Sequence, residues 1–131
     1  MGNKKVFIVE DDIVVLSGLQ AKFGHLGMET ISSTGDEEMS QIIKNLIIEK
    51  ADFVVLDLIL PKIDGFKLLR IIKEEVPRVP VFVFSDLSEK DIEERCRFLG
   101  ADYYYLKQDF NTGEFAEKVN KILKNRDKIK I

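Results

Sequence analysis

Phe53-Val54-Val55-Leu56-Asp57 is four apolar residues closed by an acid, and the arrangement recurs along the chain. Val6-Phe7-Ile8-Val9 runs into Glu10, Asp11 and Asp12; Val81-Phe82-Val83-Phe84 runs into Ser85; Tyr103-Tyr104-Tyr105-Leu106 runs into Lys107. A further run, residues 28–31, ends in nothing distinctive. The runs are short and almost wholly apolar, without in/out alternation. Such runs suit strands buried on both faces of a parallel sheet. In that arrangement three acids (Glu10, Asp11 and Asp57), a hydroxyl and an ammonium converge on one sheet edge. Open parallel sheets bind their ligands there, outside the carboxyl ends of the strands.

Between the runs lie segments of helical period. Val15, Leu16, Leu19, Phe23 and Leu26 form one apolar stripe, with Gly27 as its stop. Ile42, Ile43, Leu46 and Ile47 predict a second helix over about 36–49. Phe66, Leu69 and Ile72 predict a third over about 65–75, ended by Pro77. Ile92, Cys96 and Leu99 mark a fourth, stopped by Gly100. Phe115, Val119 and Ile122 mark a fifth, with Asn111 and Glu114 as its capping box. A β-α unit repeated five times predicts an α/β fold, a parallel sheet with helices on both faces. Doubly wound order 2-1-3-4-5 would make strands 1 and 3 neighbours at the switch point.

The chain has 131 residues and a net charge of −3, with 45% hydrophobic and 33% charged residues. These values predict one ordinary globular domain over 1–131, with its core at about 5–123. The charge argues against direct nucleic-acid binding by this domain. No apolar stretch approaches a membrane span of about 20 residues, and none resembles a signal peptide. Cys96 is the only cysteine, which fits a reducing cytoplasm. The basic tail, residues 124–131, reads either as cations near a helix C-terminus or as the start of a linker to a second domain.

Three close carboxylates repel and raise one another's pKa values. Mg2+ resolves this, because it is a hard ion satisfied by a few carboxylate oxygens and water. Lys107, arriving from strand 5, is the alternative stabiliser. Asp12 is placed to N-cap the first helix instead.

Together the residues resemble a response-regulator receiver domain. The resemblance rests on Val9-Glu10-Asp11, Asp57-Leu58-Ile59-Leu60-Pro61 with Asp64-Gly65, Phe84-Ser85, and Gly100-Ala101-Asp102 with Tyr104 and Lys107. It covers residues 5–123 and implies a flavodoxin-like three-layer (βα)5 sandwich. It implies that Asp57 accepts a phosphoryl group from a sensor histidine kinase or phosphotransfer protein. Asp11 would bind Mg2+ directly, Glu10 largely through water, and the Ile59 backbone carbonyl would complete the protein ligands. Lys107 and the Ser85 hydroxyl would contact the phosphoryl group. Tyr104 would be the switch aromatic, filling space freed when Ser85 moves. The face of helix 4, strand 5 and helix 5 would then bind an effector or a second copy. Such a domain is no enzyme in its own right, but assists its own phosphorylation and dephosphorylation.

Two residues depart from the pattern. Gln108 stands where the family usually has Pro, so the loop after strand 5 is expected to differ and to aim Lys107 less firmly. Asp86 follows Ser85 where a small residue is usual, and reads as a solvated loop acid or as a charge that hinders the site. These departures keep open a degenerate receiver that serves only as an interaction module. A flavodoxin-like cofactor-binding enzyme would want a phosphate-cradling loop after strand 1, and Glu10-Asp11-Asp12 has the opposite charge. His25, the only histidine, suits the last turn of the first helix. Cys96 reads as a core residue, and Tyr103 and Tyr105 as packing residues with polar tips.

Overall fold

A computed structural model describes residues 4–129 of the chain. Its elements alternate without exception: β1 Lys5–Val9, α1 Ile13–His25, β2 Glu29–Ser33, α2 Met39–Glu49, β3 Phe53–Leu56, α3 Gly65–Glu75, β4 Val81–Ser85, α4 Lys90–Phe98, β5 Tyr103–Leu106 and α5 Thr112–Ile129. All pairings in the sheet are parallel, in the order β2-β1-β3-β4-β5.

The apolar runs lack polar alternation because each face of the sheet has its own core. Phe7, Val9, Val54, Leu56, Val81 and Val83 pack toward α2, α3 and α4. Their strand neighbours Val6, Ile8, Phe53, Val55, Phe82 and Phe84 pack toward α1 and α5. Aromatic rings tie the second core together: Phe84 stacks on Phe115 with centroids 4.0 Å apart, and Phe82 on Tyr103 at 4.6 Å. Cys96 is fully buried, and burial pushes its thiol up to about 11, so it serves as a core residue.

The second strand differs from the sequence reading. It runs Glu29–Ser33 rather than 28–31, and as an edge strand it is only partly covered. Its last residue, Ser33, is distinctive after all: it is buried, and its carbonyl accepts from the Glu10 backbone N–H at 3.0 Å. The second helix begins at Met39, later than 36, because Ser33 Oγ and the 34–38 segment form a polar turn. Most of the basic tail is helical, since α5 continues to Ile129 with Arg126 and Lys128 in its last turn. Residues 130–131 of that tail lie outside the described residues.

Caps fix where the loops of the C-terminal sheet edge begin and end. Asp12 Oδ1 accepts from Val14 and Val15 N–H at 2.9 and 3.2 Å, capping α1. Asp64 does the same for α3 through Phe66 and Lys67. Asn111 and Glu114 exchange bonds of 3.0 and 2.7 Å, a reciprocal capping box on α5. Gly65 is required after Asp64, because an added Cβ would lie 2.2 Å from the Leu58 carbonyl oxygen. That close approach folds the β3–α3 loop back beside Asp57.

Candidate functional site

The ladder itself delivers the acidic residues. Val9 pairs with Leu56 across β1 and β3, so the next residues on each strand, Glu10 and Asp57, emerge side by side. The Asp57 N–H donates to the Val9 carbonyl at 2.9 Å, which extends the pairing to the edge. On the other flank, the Lys107 N–H donates to the Ser85 carbonyl at 2.8 Å. Sheet register therefore brings Glu10, Asp57 and Lys107 into one pocket at the C-terminal edge, with Ser85 at the neighbouring strand end.

Within it, Lys107 Nζ lies 2.8 Å from Glu10 Oε1 and 3.4 Å from Asp57 Oδ2. Glu10 Oε2 accepts from the Asp12 N–H at 3.1 Å, so both of its oxygens are engaged. Asp57 Oδ1 accepts from the Ile59 N–H at 3.3 Å. Glu10 and Asp57 are buried and Asp11 is exposed, and carboxylate oxygens of the three all lie within 4.8 Å of one another. Hard oxygen donors so close together suit a small divalent cation such as Mg2+. The backbone of Ile59 lies beside them, bridged to Asp64, while its side chain is half exposed.

Burial sets the charge balance. It pushes Glu10 up from 4.5 to about 7, the neighbouring Asp57 charge adding to the rise while the Lys107 hydrogen bond opposes it. Asp57 is raised for the same first reason, against the pull of Lys107. Burial alone would lower Lys107, but the Glu10 hydrogen bond and the Asp57 and Glu10 charges outweigh it and the ammonium is favoured. One cation facing two buried carboxylates leaves the pocket short of positive charge.

Ser85 is fully buried, and its Oγ accepts from the Leu87 N–H at 3.0 Å. The Tyr104 hydroxyl donates to the Leu87 carbonyl in a short hydrogen bond, with the half-buried ring packed against the core. The backbone of Leu87 is thus gripped by both Ser85 and Tyr104. Nothing in its side chain announces that role; its place two residues after a strand-end Ser is the available signal.

Asp86 is exposed on the same turn, and its charge adds a small part to the field favouring the Lys107 ammonium. The peptide bond before Gln108 is trans, yet Lys107 still reaches both acids. Tyr103 stacks on Phe82 and accepts from Arg126 Nη1 through its hydroxyl at 3.2 Å, while Tyr105 packs edge-on against Phe115. His25 sits in the last turn of α1, far along the helix from Asp12.

Fold and pocket together define a receiver of the two-component type, and comparison with known proteins agrees. The model of the response regulator receiver domain matches residues 6–120, and the chain belongs to that family. It is 30% identical over 130 residues to a probable transcriptional regulator, ycf27, of Porphyridium aerugineum, covering 98% of this chain and 51% of that protein. It is 29% identical over 125 residues to the alkaline phosphatase synthesis transcriptional regulatory protein PhoP of Bacillus subtilis (strain 168), covering 95% and 50%. The chain thus spans about half the length of these curated relatives. The crystal structure of a CheY-like receiver domain protein from Methanospirillum hungatei JF-1 superposes with a TM-score of 0.84 at 20% identity, covering 97% and 98%, a likeness of fold. No helix among the described residues is long and apolar enough to cross a membrane.

Proposed function

We propose that Asp57 is the phosphoacceptor of this receiver, charged by the phosphohistidine of a sensor kinase or phosphotransfer protein with Mg2+ as cofactor. The observation that carries the reading is the packing of Glu10, Asp11 and Asp57 oxygens within 4.8 Å of one another, with a single lysine beside them.

Asp11, Asp57 and the Ile59 carbonyl would hold Mg2+ directly, and Glu10, both of whose oxygens are engaged, would act through water. When bound, Mg2+ supplies charge that offsets the clustered carboxylates and the equatorial oxygens of the phosphoryl group. An Asp57 oxygen forms a bond to phosphorus as the phosphorus–nitrogen bond of the donor breaks. The electron pair of that bond leaves with the imidazole nitrogen. Lys107 stabilises the transferring group as a point charge, and the Ser85 hydroxyl donates to one of its oxygens once it releases Leu87.

The Ser85–Leu87–Tyr104 contacts support a route outward. A Ser85 hydroxyl drawn toward a phosphoryl oxygen loosens its hold on the Leu87 N–H, and Leu87 is also the acceptor of Tyr104. A charge gained at Asp57 then alters the surface of α4, β5 and α5, where an effector or a second copy would bind. The transcriptional relatives support a regulatory output. The domain is proposed to work in the cytoplasm, with residues 1–131 as one receiver unit.

The test is intact mass after incubation with acetyl phosphate. One added phosphoryl mass in the wild type, absent in Asp57→Asn and abolished by EDTA, is expected. Label that survives Asp57→Asn, or that ignores EDTA, overturns the assignment.

A further inference from the structure

Phe98, the last residue of α4, is 90% exposed, more than any other large hydrophobic among the described residues. Asp91 and Glu94 precede it by seven and four positions and are also exposed, so the three share one helix face. Of the other charges of that helix, Arg97 pairs with Glu93 at 2.5 Å and Arg95 lies over the Phe66 ring at 3.9 Å, while Lys90, at its first turn, has no salt-bridge partner among the described residues. Asp91 and Glu94 have no salt-bridge partner among the described residues. The face is an aromatic knob flanked by two free acids.

Elsewhere on the molecule lies its complement. Between α2 and α3 an apolar groove of about 600 Å³ is lined by Met39, Ile43, Ile47, Ile48 and Ile71. Ile47 and Ile48 are 47% and 61% exposed, a concentration of aliphatic surface that water hydrates poorly. Its charged lining is Lys44 from α2 and Lys67 and Glu75 from α3, two cations to one acid, and neither lysine has a salt-bridge partner among the described residues. The groove is large enough for an aromatic ring and the helix turn that bears it.

We propose that a second copy of this chain docks its Phe98 into the α2–α3 groove, with Asp91 and Glu94 facing Lys44 and Lys67. A desolvated aromatic anchor supplies affinity, and the opposite charges supply register. Because knob and groove are different surfaces, the contact is heterologous: each copy that offers its knob leaves its groove open, so association continues head to tail unless the geometry closes a ring. Neither surface includes a residue of the Asp57 pocket, so the proposal stands apart from the phosphorylation reading.

Sedimentation velocity of the full chain over a range of concentrations tests it. The wild type is expected to self-associate, more weakly as salt is raised. Phe98→Glu and Ile47→Asp, both at exposed positions, should each weaken association about tenfold or more. Mixing the two variants is the decisive arm. Phe98→Glu keeps its groove and Ile47→Asp keeps its knob, so the mixture should form one-to-one dimers and nothing larger. Ile48→Asp in place of Ile47→Asp should behave alike, and circular dichroism checks that each variant is folded. A wild type that stays monomeric at the highest concentration reached, variants that associate like the wild type, or a mixture that remains monomeric would overturn the proposal. The last result would point instead to a face-to-face contact of two α4 surfaces.

Discussion

The ammonium of Lys107 lies closer to Glu10, at 2.8 Å, than to Asp57, at 3.4 Å. Glu10 thereby holds the lysine to one side of the Asp57 carboxylate. Removing the lysine strands two buried carboxylates. Lys107→Met should therefore destabilise the metal-free protein by about 2–4 kcal/mol near pH 7.5. Urea unfolding reads the loss, and the loss should shrink near pH 5, below the value of about 7 to which Glu10 is raised. An unchanged unfolding midpoint at both pH values would mean that the lysine compensates nothing.

Neutralising an acid should have the opposite effect. Asp57→Asn relieves Glu10 of a buried like charge, and Asp11→Asn thins the same cluster. Each should melt higher than the wild type without metal at low salt. Mg2+ should raise the wild-type melting temperature by mass action and raise the variants less. Lower melting of both variants would identify the acids as structural rather than strained.

The raised Glu10 pKa fixes the sign of a pH dependence. Between its ordinary value of 4.5 and its folded value of about 7, the folded state binds the proton more tightly than the unfolded state. Stability of the metal-free protein should therefore fall as pH rises through that window, by at most about 3 kcal/mol, and level off above it. Glu10→Gln should flatten the profile. Mg2+ affinity, read by calorimetry, should tighten over the same range as the competing proton is lost. A metal-free protein that gains stability from pH 5 to 7 would contradict this account.

How much of this was legible in the chain depended on where each residue sits. The strand-end residues Glu10, Asp57, Ser85 and Lys107 were readable because the ladder converts sequence position into spatial position: a polar residue closing an apolar run must emerge at the edge. Asp12, Asn111 and Glu114 were readable because caps are local. Ser33 was not, because an edge strand is half solvated and its ETISS sequence carries no apolar run to end. The grip of Ser85 and Tyr104 on Leu87 was not, because it uses the Leu87 backbone, which every residue shares. Nor was the inward seat of Tyr104, since a rotamer at a half-buried edge position is decided by packing.

Once formed, phospho-Asp57 should decay slowly for a receiver. Hydrolysis needs a water held in line with phosphorus, and neither Ile59, half exposed two residues after Asp57, nor Leu87, two residues after Ser85, has a side chain that can hydrogen-bond to one. Positioning is worth orders of magnitude in rate. Ile59→Asn and Leu87→Glu should each speed decay, followed as loss of the phosphoryl mass with time. Unchanged or slower decay in both would show that the water is positioned by other groups.

The central claim is that the phosphoryl group rests on Asp57 and nowhere else. Reduction of the Mg2+-dependent labelled protein with borohydride converts an acyl phosphate to the alcohol, leaving homoserine at the acceptor position. Peptide mapping by mass spectrometry is expected to find homoserine at position 57, in proportion to the label, and none in protein treated without the phosphodonor. Homoserine at another acid such as Asp11 or Asp86, or label without homoserine anywhere, would contradict the account.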